Sequence, residues 1–351
     1  MKKNNAIEFW RFVIISFVIM LHFDEDYVGK YIFFSGGYLG VDFFFILSGF
    51  FLVHNYERSY KAIEHGKQAL SYLMHRISTL YPEYLLSFIV IMLYKFFNYG
   101  WNMRDLIKNL WDERYELTMT HYLGIDVAMT QRSIWYISVL IVLSYFIYYL
   151  IARNRETFIY FIAPISIILI YVYIAKIYGM LGVQTEYMGI IGGGLLRGFA
   201  GMSLGCICYK FTVYIRDKKL TKLGYIILNC FEVVNIISVF YILKNGFSLN
   251  DFTIPFSFFA IISISFINKS YITRIIDNKI SGFLGSLNYG MYLNHLFICM
   301  LFVKYIPNLK YTKVLPLFFM VLILYTVLTK YIIKIIKKMC NSKIKIFKNE
   351  M

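Results

Sequence analysis

EFWRFVIISFVIMLHF, residues 8–23, sets an arginine near one end and a histidine near the other end of an apolar run. Between Arg11 and His22 every residue except Ser16 is apolar. Such a run satisfies its backbone hydrogen bonds internally, as a helix, if it is to sit in hydrocarbon. Eleven steps of 100° return a side chain to within about 20° of its first direction, some 16 Å further along the axis. Arg11 and His22 therefore share one helical face at opposite ends of the run, with Glu8 on nearly the same face. Two polar groups so placed either snorkel to the two headgroup layers or line a protein-enclosed passage. The choice depends on what stands at matching depths in other segments.

The 351 residues are 59% hydrophobic and only 16% charged, against about a quarter charged in soluble domains. The apolar residues fall in long blocks, each near the roughly 20 residues that cross about 30 Å of hydrocarbon. Ten spans are expected, at about 7–23, 36–54, 77–97, 134–152, 157–178, 189–209, 223–243, 252–268, 282–304 and 314–335. The fold class is thus all-α, a polytopic membrane helix bundle. Residues 1–351 form a single integral-membrane domain, with 336–351 as a basic tail. An even number of spans puts both termini on one side. About twice as many Lys and Arg fall in connections on that side as on the other, which makes it the cytoplasmic side of a cytoplasmic (inner) membrane. Asp24, Glu25 and Asp26 then face outward.

A net charge of +16 raises the question of nucleic acid. The basic residues sit in short connections between apolar blocks, and no platform of interleaved bases and aromatics for single strands is present. The five cysteines lie in or beside apolar blocks without metal-ligand spacing, and read as small buried hydrophobes. The first block has no small-residue cleavage site, so it reads as a retained span and not a signal peptide. The outer segment 98–133 mixes charge with aromatics and suits a short interfacial helix or a lid. Segment 55–76 reads as an amphipathic surface helix, and the C-terminal run KKMCNSKIKIFKNE as an inner-leaflet anchor. No internal repeat is visible.

In the second block, GGYLGVDFFFILSGFFLVHNY (36–56), Asp42 lies inside an apolar run. An unpaired carboxylate there costs about 2.5–3.5 kcal/mol even on the translocon scale. Its depth is near that of His22. It can orient the His22 imidazole, fixing the tautomer, or it can pair with an arginine. Gly36, Gly37, Gly40 and Gly49 permit close helix packing.

Arg11-x10-His22 followed by GVDFFFILSGFFL (40–52) resembles the opening of the acyltransferase-3 family of integral-membrane O-acyltransferases. RISTLYPEY (76–84) is similar to that family's arginine-rich segment ending in Tyr-Pro, SIWYISVL (133–140) to its Trp-Phe-Leu span, LLRGFAGMSLG (195–205) to its Arg…Gly segment, and SLNYGMYLNHLFI (286–298) to its late Tyr-x-Tyr-Leu-x-His segment. Two departures stand out: Thr79 replaces the second of two paired arginines, and Leu140 stands where many members have a glutamate.

The resemblance implies transfer of an acyl group, most often acetyl, from cytoplasmic acyl-CoA to a hydroxyl of a cell-surface polysaccharide or lipid-linked glycan. In that reading acetyl-CoA is the donor substrate and no metal is needed. His22 is the expected general base, with Asp42 in support and Arg11 holding the donor end or organising the inner half of the channel. Arg76 and His75 are expected at the CoA phosphates. Arg197 and His295 are cavity candidates; the alternatives are an Arg197–Asp42 packing pair and a His295 satisfied between helices. His22 or His295 can also serve as a transient acyl carrier, against direct transfer from a pantetheine arm. Trp135 and Tyr136 read as interfacial belt residues, and His54, His65 and His121 as solvated. Partners are the acyl-CoA, the glycan acceptor and membrane lipids, and a homodimer is allowed. The competing reading is a multi-pass transporter or flippase, for which intramembrane Arg, Asp and His also suffice; the lack of a second GVDFFFILSGFF copy weighs against it. A non-catalytic assembly partner is disfavoured by the cost of the buried ionisable groups.

Overall fold

The computed structural model describes residues 4–59, 64–122, 132–183, 186–188 and 191–349, with side chains described as far as residue 339. Lys2, Lys3 and Lys61 of the inner-side count, residues 123–131 of the outer segment, and Cys340 with the side chains of the basic tail lie outside the described part. Helices make up the fold: α1 (Asn5–Phe23), α2 (Gly40–Ser59), α3 (His65–Asn98), α4 (Met103–Asp112), α5 (Arg114–Leu117), α6 (Trp135–Thr157), α7 (Ala163–Tyr178), α8 (Gly193–Arg216), α9 (Lys222–Lys244), α10 (Ile254–Ile267), α11 (Tyr271–Ile276), α12 (Lys279–Ser286), α13 (Asn288–Tyr305) and α14 (Tyr311–Asn349). Among the described residues the only strands are a two-residue antiparallel pair, Tyr187–Met188 with Ile191–Gly192. The chain is an all-α polytopic bundle, and a multi-pass membrane protein.

By length and composition, eight continuous helical stretches among the described residues can cross a membrane, or nine if α12 and α13, bent by 48°, form one span. One of the eight, Trp135–Tyr178, runs 44 residues, about 66 Å if straight and twice the hydrocarbon thickness. It breaks at Asn154, where φ is −156° and ψ is 95°. Trp135 at its start and Gly182 just past its end line the same cavity, so the stretch leaves one side of the bundle and returns to it. The break at Asn154 falls where the sequence divides the fourth expected span, 134–152, from the fifth, 157–178.

The sequence places a surface helix over 55–76 and a separate span over 77–97. The structure instead joins most of this into α3, 34 residues and about 51 Å long. Nothing between His65 and Asn98 stops a helix except Pro82, which lies inside α3. In the outer segment, α4 begins with a capping box between Asn102 and Asp105 and buries none of its residues. It exposes Met103, Ile107 and Trp111 along one stripe, the pattern of the interfacial helix expected there.

α2 and α8 form the most extensive helix pair. Glycine makes this approach possible. A Cβ on Gly49 would collide with the Met202 carbonyl, and one on Gly205 with the Ile46 carbonyl. Removing side chains at such contacts is how membrane helices come together without a hydrophobic drive between them. α1 packs against α12 and α13 and touches α2.

Candidate active site

The N-terminus of α1 is fixed first. Asn4 caps it by accepting from the Ile7 amide at 3.0 Å and donates to the Ser265 carbonyl at 2.7 Å. The Asn5 amide donates to Asp277 at 3.0 Å. At its other end α1 widens into a π-turn, Asp24–Val28, closed by Gly29 at φ +77°. Buried Asp24 holds this turn, accepting from the Tyr311 hydroxyl at 2.6 Å and the Ile32 amide at 2.8 Å. A π-turn re-aims the side chains after it, and such turns gather at functional sites.

Arg11 and His22 face the interior, each in its own chamber. The chamber at the Arg11 end has a volume of about 370 Å³ and also exposes Ser48, Arg76, Tyr136 and Asn288. Arg11 Nη1 donates to Glu8 at 2.8 Å and Nη2 to Asn288 Oδ1 at 3.4 Å. Arg11 Nε is buried with no hydrogen-bond partner among the described residues. Arg76 Nη1 donates to the Tyr72 hydroxyl at 3.0 Å and Nη2 to Ser48 Oγ at 2.9 Å. Two guanidinium groups from two helices thus share one wall, a fit to phosphate oxygens. His75 is exposed and is not on this wall. Thr79, in place of a second arginine, folds back onto the His75 carbonyl at 2.9 Å.

The chamber at the His22 end is smaller, about 140 Å³, and is lined by His22 and Glu25 together with Tyr31, Tyr38, Trp135 and Phe247. Val18, Val41 and Tyr292 line both chambers, so the two meet across these three side chains.

His22 and His295 stand together. His22 Nδ1 and His295 Nε2 are 3.0 Å apart, and His295 Nδ1 is 2.6 Å from the Tyr292 carbonyl oxygen. A carbonyl only accepts, so His295 carries its proton on Nδ1. In the neutral ring its Nε2 is then an acceptor. His22 must donate to it from Nδ1, which leaves the lone pair of His22 on Nε2. The backbone carbonyl therefore selects, through one imidazole, the tautomer of the next.

Asp42 does not make this contact. It pairs with Arg197, whose Nε lies 3.1 and 3.2 Å from Oδ1 and Oδ2 and whose Nη2 lies 2.6 Å from Oδ2. Arg197 Nη2 also donates to the Tyr38 carbonyl at 2.9 Å. Both side chains are 0% exposed, and neither is on a chamber wall. Of the two partners the sequence allowed Asp42, an imidazole or an arginine, the structure supplies the arginine.

Further corrections concern aromatic and histidine residues. Trp135 and Tyr136 line the two chambers inside the bundle and do not form a lipid-facing belt. His121 is buried, 3.0 Å from Ser138 Oγ, and burial pushes its pKa down to about 4. Asn288 and Tyr292 escaped sequence reasoning, although a signal was present. Asn288 and His295 are seven residues apart, which is 700°, or within about 20° of alignment. They share a face of α13 as Arg11 and His22 share a face of α1.

A family model described as an acyltransferase domain matches residues 4–335. No curated protein and no solved structure matches the chain.

Proposed function

Because the chain belongs to the acyltransferase-3 family, and so is a membrane acyltransferase, we propose that it carries an acyl group, principally acetyl, from cytoplasmic acyl-CoA to a hydroxyl of a cell-surface polysaccharide or lipid-linked glycan. The observation that carries this reading is the pair of chambers strung along one face of α1, with guanidinium groups in one and, in the other, the His22 imidazole backed by His295. In this proposal the chain lies in the cytoplasmic membrane with both termini inside. The Arg11 chamber then opens to the donor and the His22 chamber to the acceptor.

Arg11 and Arg76 hold the phosphates of the CoA through charge-assisted bonds, and the pantetheine arm runs past Val18 toward His22. The acceptor O–H gives its proton to His22 Nε2 while its oxygen attacks the thioester carbonyl carbon. The carbonyl electron pair moves onto oxygen and then returns as the C–S bond breaks. The CoA thiolate leaves and takes the proton from the imidazolium, so the products are an ester and a thiol. Throughout, His22 Nδ1–H donates to His295, which shares the positive charge and holds the ring in place. A positioned base of this kind contributes about 10²–10⁴-fold.

The test supplies labelled acetyl-CoA to membranes that contain the chain and to membranes that lack it. The proposal expects alkali-labile label on glycan only in the former. Equal label in both, or none in either, contradicts it.

A further inference from the structure

We propose that Val18, Val41 and Tyr292 form a gauge that admits short acyl groups and excludes longer ones. The inference rests on the acyl-transfer reading above and names what that site selects. The three side chains are buried and are the walls common to both chambers. Each is held in place. Val18 sits seven residues after Arg11 and four before His22, on the face they share. Val41 adjoins Asp42, which the Arg197 pair locks at this level. The Tyr292 hydroxyl donates to the Ser133 carbonyl, and its ring meets that of Tyr136 edge-on at 6.2 Å. Two of the three are β-branched and stiff at χ1.

A thioester arriving from the Arg11 chamber passes this neck acyl end first. Its acyl group then lodges in the His22 chamber. That chamber's 140 Å³ is roughly five water volumes at about 30 Å³ each. The carbonyl carbon, oxygen and methyl of acetyl fill about three of these, and the carbon and hydroxyl of the acceptor fill the rest. Each added methylene takes room from the acceptor between these walls. Where apolar walls such as Val18 and Val41 meet the acyl chain, one methylene is worth about 10- to 200-fold.

The test mixes equal concentrations of labelled acetyl-CoA and propionyl-CoA in membranes that contain the chain, and reads the ratio of the two esters formed. Wild-type protein should favour acetyl by about tenfold or more. Val18→Ala and Val41→Ala should each raise the propionyl-to-acetyl ratio about tenfold. The ratio is taken within one sample, so a lower yield of folded variant cancels. A wild-type ratio near one overturns the gauge. So does an unchanged ratio in both variants, or loss of both esters from variants that still elute as single peaks. A wild type silent with every thioester removes the acyl-transfer reading itself, and the gauge with it.

Discussion

A histidine is a useful base only in the tautomer that leaves its lone pair toward the substrate. Here that choice passes from the Tyr292 carbonyl to His295 Nδ1 and from His295 Nε2 to His22 Nδ1. His295 acts through His22, as a positioning residue. A glutamine at 295 keeps an amide oxygen that can accept from His22 Nδ1–H; a phenylalanine keeps only the ring shape. His295→Phe should therefore lower kcat about 10²-fold with saturating acetyl-CoA, the low end of what a positioned base supplies, and His295→Gln should recover much of it. Equal kcat in the two variants would remove the relay. The sequence showed both imidazoles and the depth of His22, because 3.6-residue periodicity fixes position along an axis. It could not show that His295 and not Asp42 adjoins His22, because that depends on how helices rotate against one another. His121 was misread for the same reason: one polar residue in a loop carries no sign of the helix that covers it.

At the scale of elements, the α2–α8 contact sets the level of the site. Gly49 and Gly205 let the two backbones approach, and Asp42 with Arg197 fixes their register with two buried charges. Removing one member of such a pair leaves the other charged and buried, at a cost of about 3–5 kcal/mol. Asp42→Asn should lower the thermal unfolding midpoint of the detergent-extracted protein, and adding Arg197→Met should restore part of the loss. An Asp42→Asn midpoint equal to wild type would make the pair a bystander. The glycines and both ionisable residues were legible as packing and polar features of these blocks. The length of α3 was not, because an amphipathic start and an apolar finish belong to one helix when Pro82, the one breaker among them, is carried inside it. The bend between α12 and α13, which brings Asn288 to Arg11, follows Gly285-Ser286, a pair that permits a kink without requiring one. Leu287 is the turn residue at the bend, with φ −84° and ψ −15°.

Across the whole molecule, α1 and α13 run in the same direction: Asn288 meets Arg11 and, seven residues on, His295 meets His22. Parallel neighbours require an odd number of crossings between them or a return outside the bundle. The hairpin at Asn154 supplies the crossing that the continuous count omits. The bundle thereby presents a cationic chamber at one end and an imidazole chamber at the other, with three side chains common to their walls. The central claim is that chemistry occurs at the His22 end with a donor held from the Arg11 end. The most direct measurement is the rate of label transfer from acetyl-CoA to membrane glycan by wild-type and His22→Ala protein at matched membrane levels. The account expects the variant to fall by about 10² or more, in line with loss of a general base, while its affinity for CoA is retained. A His22→Ala protein that transfers acetyl at the wild-type rate would contradict it.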